Sequence, residues 1–246
     1  SLGNFRMHPA SSVIFFTTAS GAGFGIMSWL CVAILMGHYT LTPHTIVMGV
    51  IGLVLAGAGL LSSTLHLGNP QRAWRAVSQW RTSWLSREGI LAVLTCLNFA
   101  GILALYLTSG VVLPWMAGSC LVLSLLTIIA TAMIYAQIKP VPRWHTKLTV
   151  LCYLGFSTST GMAVIASVSP TRYHVYLAFG GLVLAWVFKL LWWQRASRTS
   201  LSHDGTTTAT ATGLTGFSSV KLFEKPHMTQ NYLMTEMVFE IGRKHA

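Results

Sequence analysis

Two protonatable side chains, His66 and Glu88, flank a basic, tryptophan-rich segment in the first half of the chain. They belong to the stretch SSTLHLGNPQRAWRAVSQWRTSWLSRE, residues 62–88, which also holds Arg72, Arg75, Arg81 and Arg87 with Trp74, Trp80 and Trp84. Glu88 is the first acidic residue of the chain, and the next is Asp204. An imidazole changes charge near neutral pH and can both donate and accept hydrogen bonds. A carboxylate beside lipid is expensive, so its neutral form is favoured unless a cation or water supports it. Such a pair can exchange protons. The chemistry that calls for this at a membrane boundary is quinone redox, which couples two protons to two electrons. It also needs hydrogen-bond donors for the carbonyls and an apolar or aromatic slot for the ring. In that chemistry His66 would donate to a carbonyl, Glu88 would relay protons and Trp74 would wall the ring.

The elements that must position these groups follow from composition. A chain of 246 residues with 53% hydrophobic and 9% charged residues and a mean hydropathy of +0.60 has too few charges to cover a soluble globule. Its apolar residues lie in runs long enough to cross a hydrocarbon core of about 30 Å, which takes roughly 20 helical residues. The short alternating segments of a transmembrane barrel are absent from the sequence. The expected fold class is therefore all-α, a polytopic transmembrane helix bundle of six spans with cytoplasmic interfacial helices. The spans are placed at about 9–36, 45–67, 89–107, 111–138, 148–168 and 173–193. The first is too long for a signal-peptide core, lacks a strongly basic leader and is followed by five comparable spans. Its Gly21, Gly23 and Gly25 follow no strand and so resemble a phosphate loop only superficially; Gly21 and Gly25 fit close helix packing better, and Gly52, Ala56, Gly57 and Gly59 give the second span a small-residue face to receive the first helix. The TSG turn makes the third and fourth spans antiparallel neighbours.

Residues 1–193 thus form the transmembrane domain, and 194–246 a cytoplasmic polar connection followed by an amphipathic helix. Within 229–244, Leu233, Met234, Met237, Val238 and Ile241 share one helical face, opposite the i,i+4 pair Glu240 and Lys244. Lys189 lies close enough to the end of the sixth span to snorkel toward the interface. Of the 16 lysines and arginines, only Arg172 falls on the side opposite the termini. Because basic residues are retained in cytoplasmic loops, both termini and the 62–88 loop are expected in the cytoplasm. The net charge of +11 is then topology signal plus attraction to the lipid bilayer, and no nucleic acid is needed to explain it. A basic face could also receive an acidic soluble subunit. Trp74, Val77, Trp80 and Trp84 recur at helical spacing, as in an interfacial helix, although Arg81 falls near its apolar edge.

Cys31, Cys96, Cys120 and Cys152 lie in four different spans without metal-ligand spacing, so they are expected to be packing residues and no metal site is assigned. His66 and His145 fall at the cytoplasmic ends of spans, and His38, His44 and His174 at the opposite ends. No spacing supports a bis-histidine haem. Two other classes stay open at this point: a transporter, which would put broken helices and polar groups at the midplane, and a structural anchor without a quinone site.

The strings LHLGNPQRAW and LSREG, the opening HPASSVIFFTTASGAGFG and the late FEKPHMTQNYLMTEMVFEIGRKHA resemble the membrane anchor subunit of dimethyl sulfoxide reductase-type molybdoenzymes. The resemblance implies a helical subunit of the bacterial inner membrane. Such a subunit holds a ferredoxin-like iron–sulfur subunit and a molybdopterin catalytic subunit, and exchanges electrons with ubiquinone or menaquinone. Haem, iron–sulfur cluster and molybdopterin are not expected in this chain. In that family the loop histidine and the carboxylate opening the third helix are linked to quinol chemistry, and they match His66 and Glu88, with Arg72 and Trp74 as supporting neighbours. Arg75, Arg81 and Arg143 are the candidate docking residues for the iron–sulfur partner. Typical members have eight spans, against six here. The cytoplasmic placement of the loop departs from the topology of the respiratory dimethyl sulfoxide reductase anchor, and the opening HPASSVIFFTTASGAGFG looks most like the anchor of cytoplasmic-facing sulfite dehydrogenase. In that branch sulfite oxidation sends electrons to quinone; a reductase oxidising quinol is the alternative.

Reporter fusions test the charge argument. Green fluorescent protein fused after Arg198 should fluoresce and alkaline phosphatase there should be inactive, with the opposite result for fusions at Gly110.

Overall fold

The computed structural model describes residues 11–37, 42–64, 78–139, 141 and 143–198. These contain six long helices: α1 (Ser11–Leu35), α2 (Pro43–Thr64), α3 (Trp84–Ser109), α4 (Pro114–Ala136), α5 (Lys147–Val168) and α6 (Arg172–Arg198). All six are long and apolar enough to cross a membrane, and no strand occurs among the described residues. Lipid offers backbone groups no hydrogen bonds, so each span satisfies its own. The chain is a multi-pass membrane protein. The expected amphipathic segment 229–244 lies outside the described residues, and α6 continues five residues past the expected end of the sixth span.

α1 is the central helix. It packs against α2, α4 and α5, and 67% of its spanning window is buried, against 6% for α6. Phe24, Ile26, Met27, Leu30, Cys31 and Ile34 of α1 belong to the main apolar core, with Met48, Phe99, Ile102 and Ile128 from α2, α3 and α4. Small residues permit these contacts. Gly23 abuts the backbone of Gly52 and Ala56, and Gly59 abuts Ser20, so α2 receives α1 as its small-residue face implied. Gly57 belongs to that sequence pattern but has nothing within 4 Å of its would-be Cβ. Gly21 and Gly25 serve a different partner, α5, through Ser157 and Gly161.

The paired positions set the directions of the helices. Gly49 against Phe99 and Leu103, Thr95 with Thr127, Ser28 with Ser124 at 2.7 Å and Gly181 with Ser159 each join antiparallel neighbours, whereas α1 and α5 run parallel. The start of α3, the ends of α2 and α4 and the start of α5 therefore share one end of the bundle. At the opposite end, Gly110 closes α3 with a left-handed φ of 67°. Its N–H donates to the Tyr106 carbonyl at 2.8 Å, making the short turn to α4.

The four cysteines are free, three of them buried, and Cys120 lies within 3.9 Å of the Thr95 carbonyl as a packing residue of the α3–α4 contact. The Lys189 ammonium sits over the rings of Trp192 and Trp193, 4.3 and 5.3 Å from their centroids, as a cation at the aromatic edge of the last helix.

A Cβ at Gly25 would overlap the Ser157 carbonyl, so Gly25→Ala should destabilise the bundle by about 1–3 kcal/mol. The loss should appear as a lower unfolding midpoint in detergent, with Gly57→Ala unchanged.

Candidate functional site

The turn that leads into α3 fixes the depth of Glu88. Ser83 is extended, at φ −111° and ψ 123°, and its hydroxyl accepts the N–H of Ser86, so the helix starts at Trp84. Arg87 secures the same turn. Its Nε donates to the Trp80 carbonyl at 2.8 Å, a terminal nitrogen donates to the Arg81 carbonyl at 2.6 Å, and its guanidinium lies 4.5 Å from the Trp84 ring centroid. The sequence expectation needs correction in two places. The third span begins five residues before Gly89, which puts Glu88 one full turn inside the helix. Trp80 and Trp84 also do not lie on one interfacial helix, because the backbone turns between them.

Glu88 is 5% exposed. Its carboxyl is hydrogen-bonded to the Thr131 hydroxyl of α4, and Thr131 Oγ1 is also 3.1 Å from the Thr127 carbonyl. One hydroxyl hydrogen cannot fully serve both acceptors. With Glu88 ionised, Thr131 donates to the carboxylate. With Glu88 neutral, the carboxyl O–H donates to Thr131, whose own hydrogen turns to the Thr127 carbonyl. The contact thus accommodates either protonation state with a rotation of one hydroxyl. Farther along the same interface Thr95 and Thr127 meet at 3.2 Å, while Thr95 also donates to the Leu91 carbonyl at 2.7 Å. These bonds tie α3 to α4 where the carboxyl enters the bundle.

Aromatic side chains from α4 and α5 gather at this end. Tyr135 lies one helical turn beyond Thr131 and stacks on Tyr153, with centroids 5.7 Å apart and planes at 21°. Trp144, in the loop between α4 and α5, meets Tyr135 edge-on at 5.6 Å. Sequence reasoning passed over Thr131, Tyr135 and Tyr153. The i,i+4 spacing of Thr131 and Tyr135 was visible, but hydroxyl residues in apolar spans often bond only their own backbone.

Of the residues singled out in sequence, Arg81 is exposed in the turn before α3, over the Trp80 ring at 5.4 Å. Arg143 is half-buried in the α4–α5 loop. Both sit at the Glu88 end. α2 ends at that same end with Thr64, two residues before His66; His66, Arg72, Trp74 and Arg75 lie outside the described residues.

Residues 5–237 match the family model of the DMSO reductase anchor subunit, DmsC. The chain belongs to this anchor-subunit family. It is 36% identical over 194 residues to a sulfite dehydrogenase subunit of Allochromatium vinosum. The match covers 71% of this chain and 59% of that relative, so it spans less than two thirds of the relative's length. No solved structure matches the chain. In this anchor-family helix bundle the one acidic side chain before residue 204 lies buried at the end of the bundle where α3 begins.

Replacing Thr131 with valine keeps the shape but removes the partner of a buried carboxyl, a loss of about 1–3 kcal/mol. Thr131→Val should lower the unfolding midpoint in detergent, and Thr131→Ser, which retains the hydroxyl, should restore most of it.

Proposed function

We propose that this chain is the quinone-reactive anchor of a molybdopterin and iron–sulfur oxidoreductase, passing electrons between a cytoplasmic iron–sulfur subunit and the quinone pool. The observation that carries this is the buried Glu88 carboxyl, held by a hydroxyl that suits either of its protonation states. The similarity to a sulfite dehydrogenase subunit favours sulfite oxidation as the source of electrons. The residues fit a quinone in kind: a protonatable carboxyl, phenol and indole rings at one bundle end, and an imidazole, His66, two residues beyond α2. Bound there, ubiquinone or menaquinone would supply an acceptor of two electrons and two protons.

The chain's own residues would handle binding and protons. His66 donates a hydrogen bond to a carbonyl, Arg72 and Trp74 support the ring, and Glu88 gives up or takes up a proton at its carboxyl oxygen while Thr131 rotates to compensate. Arg75, Arg81 and Arg143 form the basic face on which an iron–sulfur subunit docks, with the molybdopterin catalytic subunit beyond it. The sulfite chemistry then belongs to that catalytic subunit. The membrane is the bacterial inner membrane, with the Glu88 end and both termini of this chain on the cytoplasmic side.

Glu88→Gln preserves size and the ability to hydrogen-bond with Thr131 but cannot ionise. It and His66→Ala should leave the complex assembled, by co-purification of its subunits, while lowering quinone reduction roughly 10²-fold or more, the scale of lost acid–base catalysis. Unchanged quinone reduction in both assembled variants would remove the assignment.

A further inference from the structure

The last helix carries a cation that the rest of the bundle leaves without an anion. Lys189 is half-buried about two and a half turns before the end of α6 at Arg198, inside a segment long and apolar enough to cross a membrane. Because α6 runs antiparallel to α5, this is the Glu88 end of the bundle. The ammonium reaches along the helix toward that end, over the rings of Trp192 and Trp193 at 4.3 and 5.3 Å. Both rings are held in place. The Trp192 indole donates to the Thr149 hydroxyl of α5 at 3.2 Å, and that hydroxyl donates to the Trp144 carbonyl at 2.8 Å. Trp193 leans on Trp186, whose ring is set edge-on against Phe156 of α5. An ammonium has three hydrogens to donate, yet Lys189 meets neither a carboxylate nor a hydrogen-bond acceptor among the described residues. The one carboxyl among them, Glu88, is engaged with Thr131.

We infer that Lys189, seated on the Trp192 and Trp193 rings, binds the phosphodiester headgroup of an anionic phospholipid at the α5–α6 seam. An ammonium within a span is expensive without a counter-ion, and ring faces attract the cation without supplying an anion. The spanning window of α6 is only 6% buried, so the counter-ion comes from the lipid phase, where the headgroup phosphate is the anion at that depth. Arg195 and Arg198, exposed in the last turn of α6, add positive charge nearer the water. They repel the cation of a choline headgroup but not an uncharged glycerol, which sets the preference for lipids of net negative charge. Trp186 and Trp193, both partly exposed, give an acyl chain an apolar wall beside the cation.

Native mass spectrometry tests the site on the full chain, delipidated in a neutral detergent and titrated with dioleoylphosphatidylglycerol or dioleoylphosphatidylcholine. The affinity for the first bound lipid is read in each titration. Phosphatidylglycerol should bind at least about fivefold more tightly, the effect of one basic residue at a membrane surface. Lys189→Gln should remove about fivefold of that preference, while Lys189→Arg, which keeps the charge, should retain it. Lys189→Met, which keeps an apolar stem, replaces Lys189→Gln where the latter loses the helical circular dichroism of the native chain. Inorganic phosphate in excess should leave the bound phosphatidylglycerol in place. Equal binding of the two lipids by the native chain overturns the site. So does an unchanged preference in the folded Lys189 variants, which assigns it to the other basic residues. Displacement of the lipid by inorganic phosphate makes the site one for a soluble anion and overturns the lipid reading.

Discussion

Everything in this bundle is arranged around the close approach of α1 to α5. Inside lipid there is no hydrophobic gain from bringing two apolar helices together, so association relies on packing contact and interhelical hydrogen bonds. Gly25 and Gly161 bring the two backbones into direct contact. The Trp29 indole then donates across the same interface to the Thr158 carbonyl at 2.9 Å. With α1 seated on α5, its remaining faces meet α2 and α4, and α4 carries α3. The position of Glu88 is a consequence of that order: its helix is held to the centre through α4, by way of Thr131 and Thr127.

A lone carboxyl in such a place is costly, and the structure meets the cost locally. The neighbouring Arg87 is committed to the Trp80 and Arg81 carbonyls and the Trp84 ring. Thr131 instead provides a neutral partner that can reverse its donor and acceptor roles. A fixed ion pair would favour one charge state, whereas a reversible hydroxyl contact lets the carboxyl pass between two. That property is the one that the proposed proton-exchanging role of Glu88 requires.

The outer helix α6, 6% buried in its spanning window, packs mainly on α5 and presents its apolar side chains outward.

The sequence by itself determined the class of molecule, the six spans, the small-residue surfaces of α1 and α2 and the prominence of Glu88. Each of these follows from local rules: about 20 apolar residues cross a bilayer, glycine lets helices approach, and a single acid before residue 204 of an apolar and basic chain is conspicuous. Tertiary structure decided what local rules cannot. The Ser83 cap and the Arg87 clasp moved the start of α3 to Trp84, so Glu88 is buried within a helix instead of opening it. Gly21 and Gly25 turned out to serve α5, more than 130 positions away in the chain, and Gly57 proved idle. Thr131 became recognisable as the partner of the carboxyl, and Tyr135 and Tyr153 as a stacked pair, only once α3, α4 and α5 were assembled, because hydrogen bonds and ring stacking between helices depend on their relative rotation, which no periodicity within a single helix encodes.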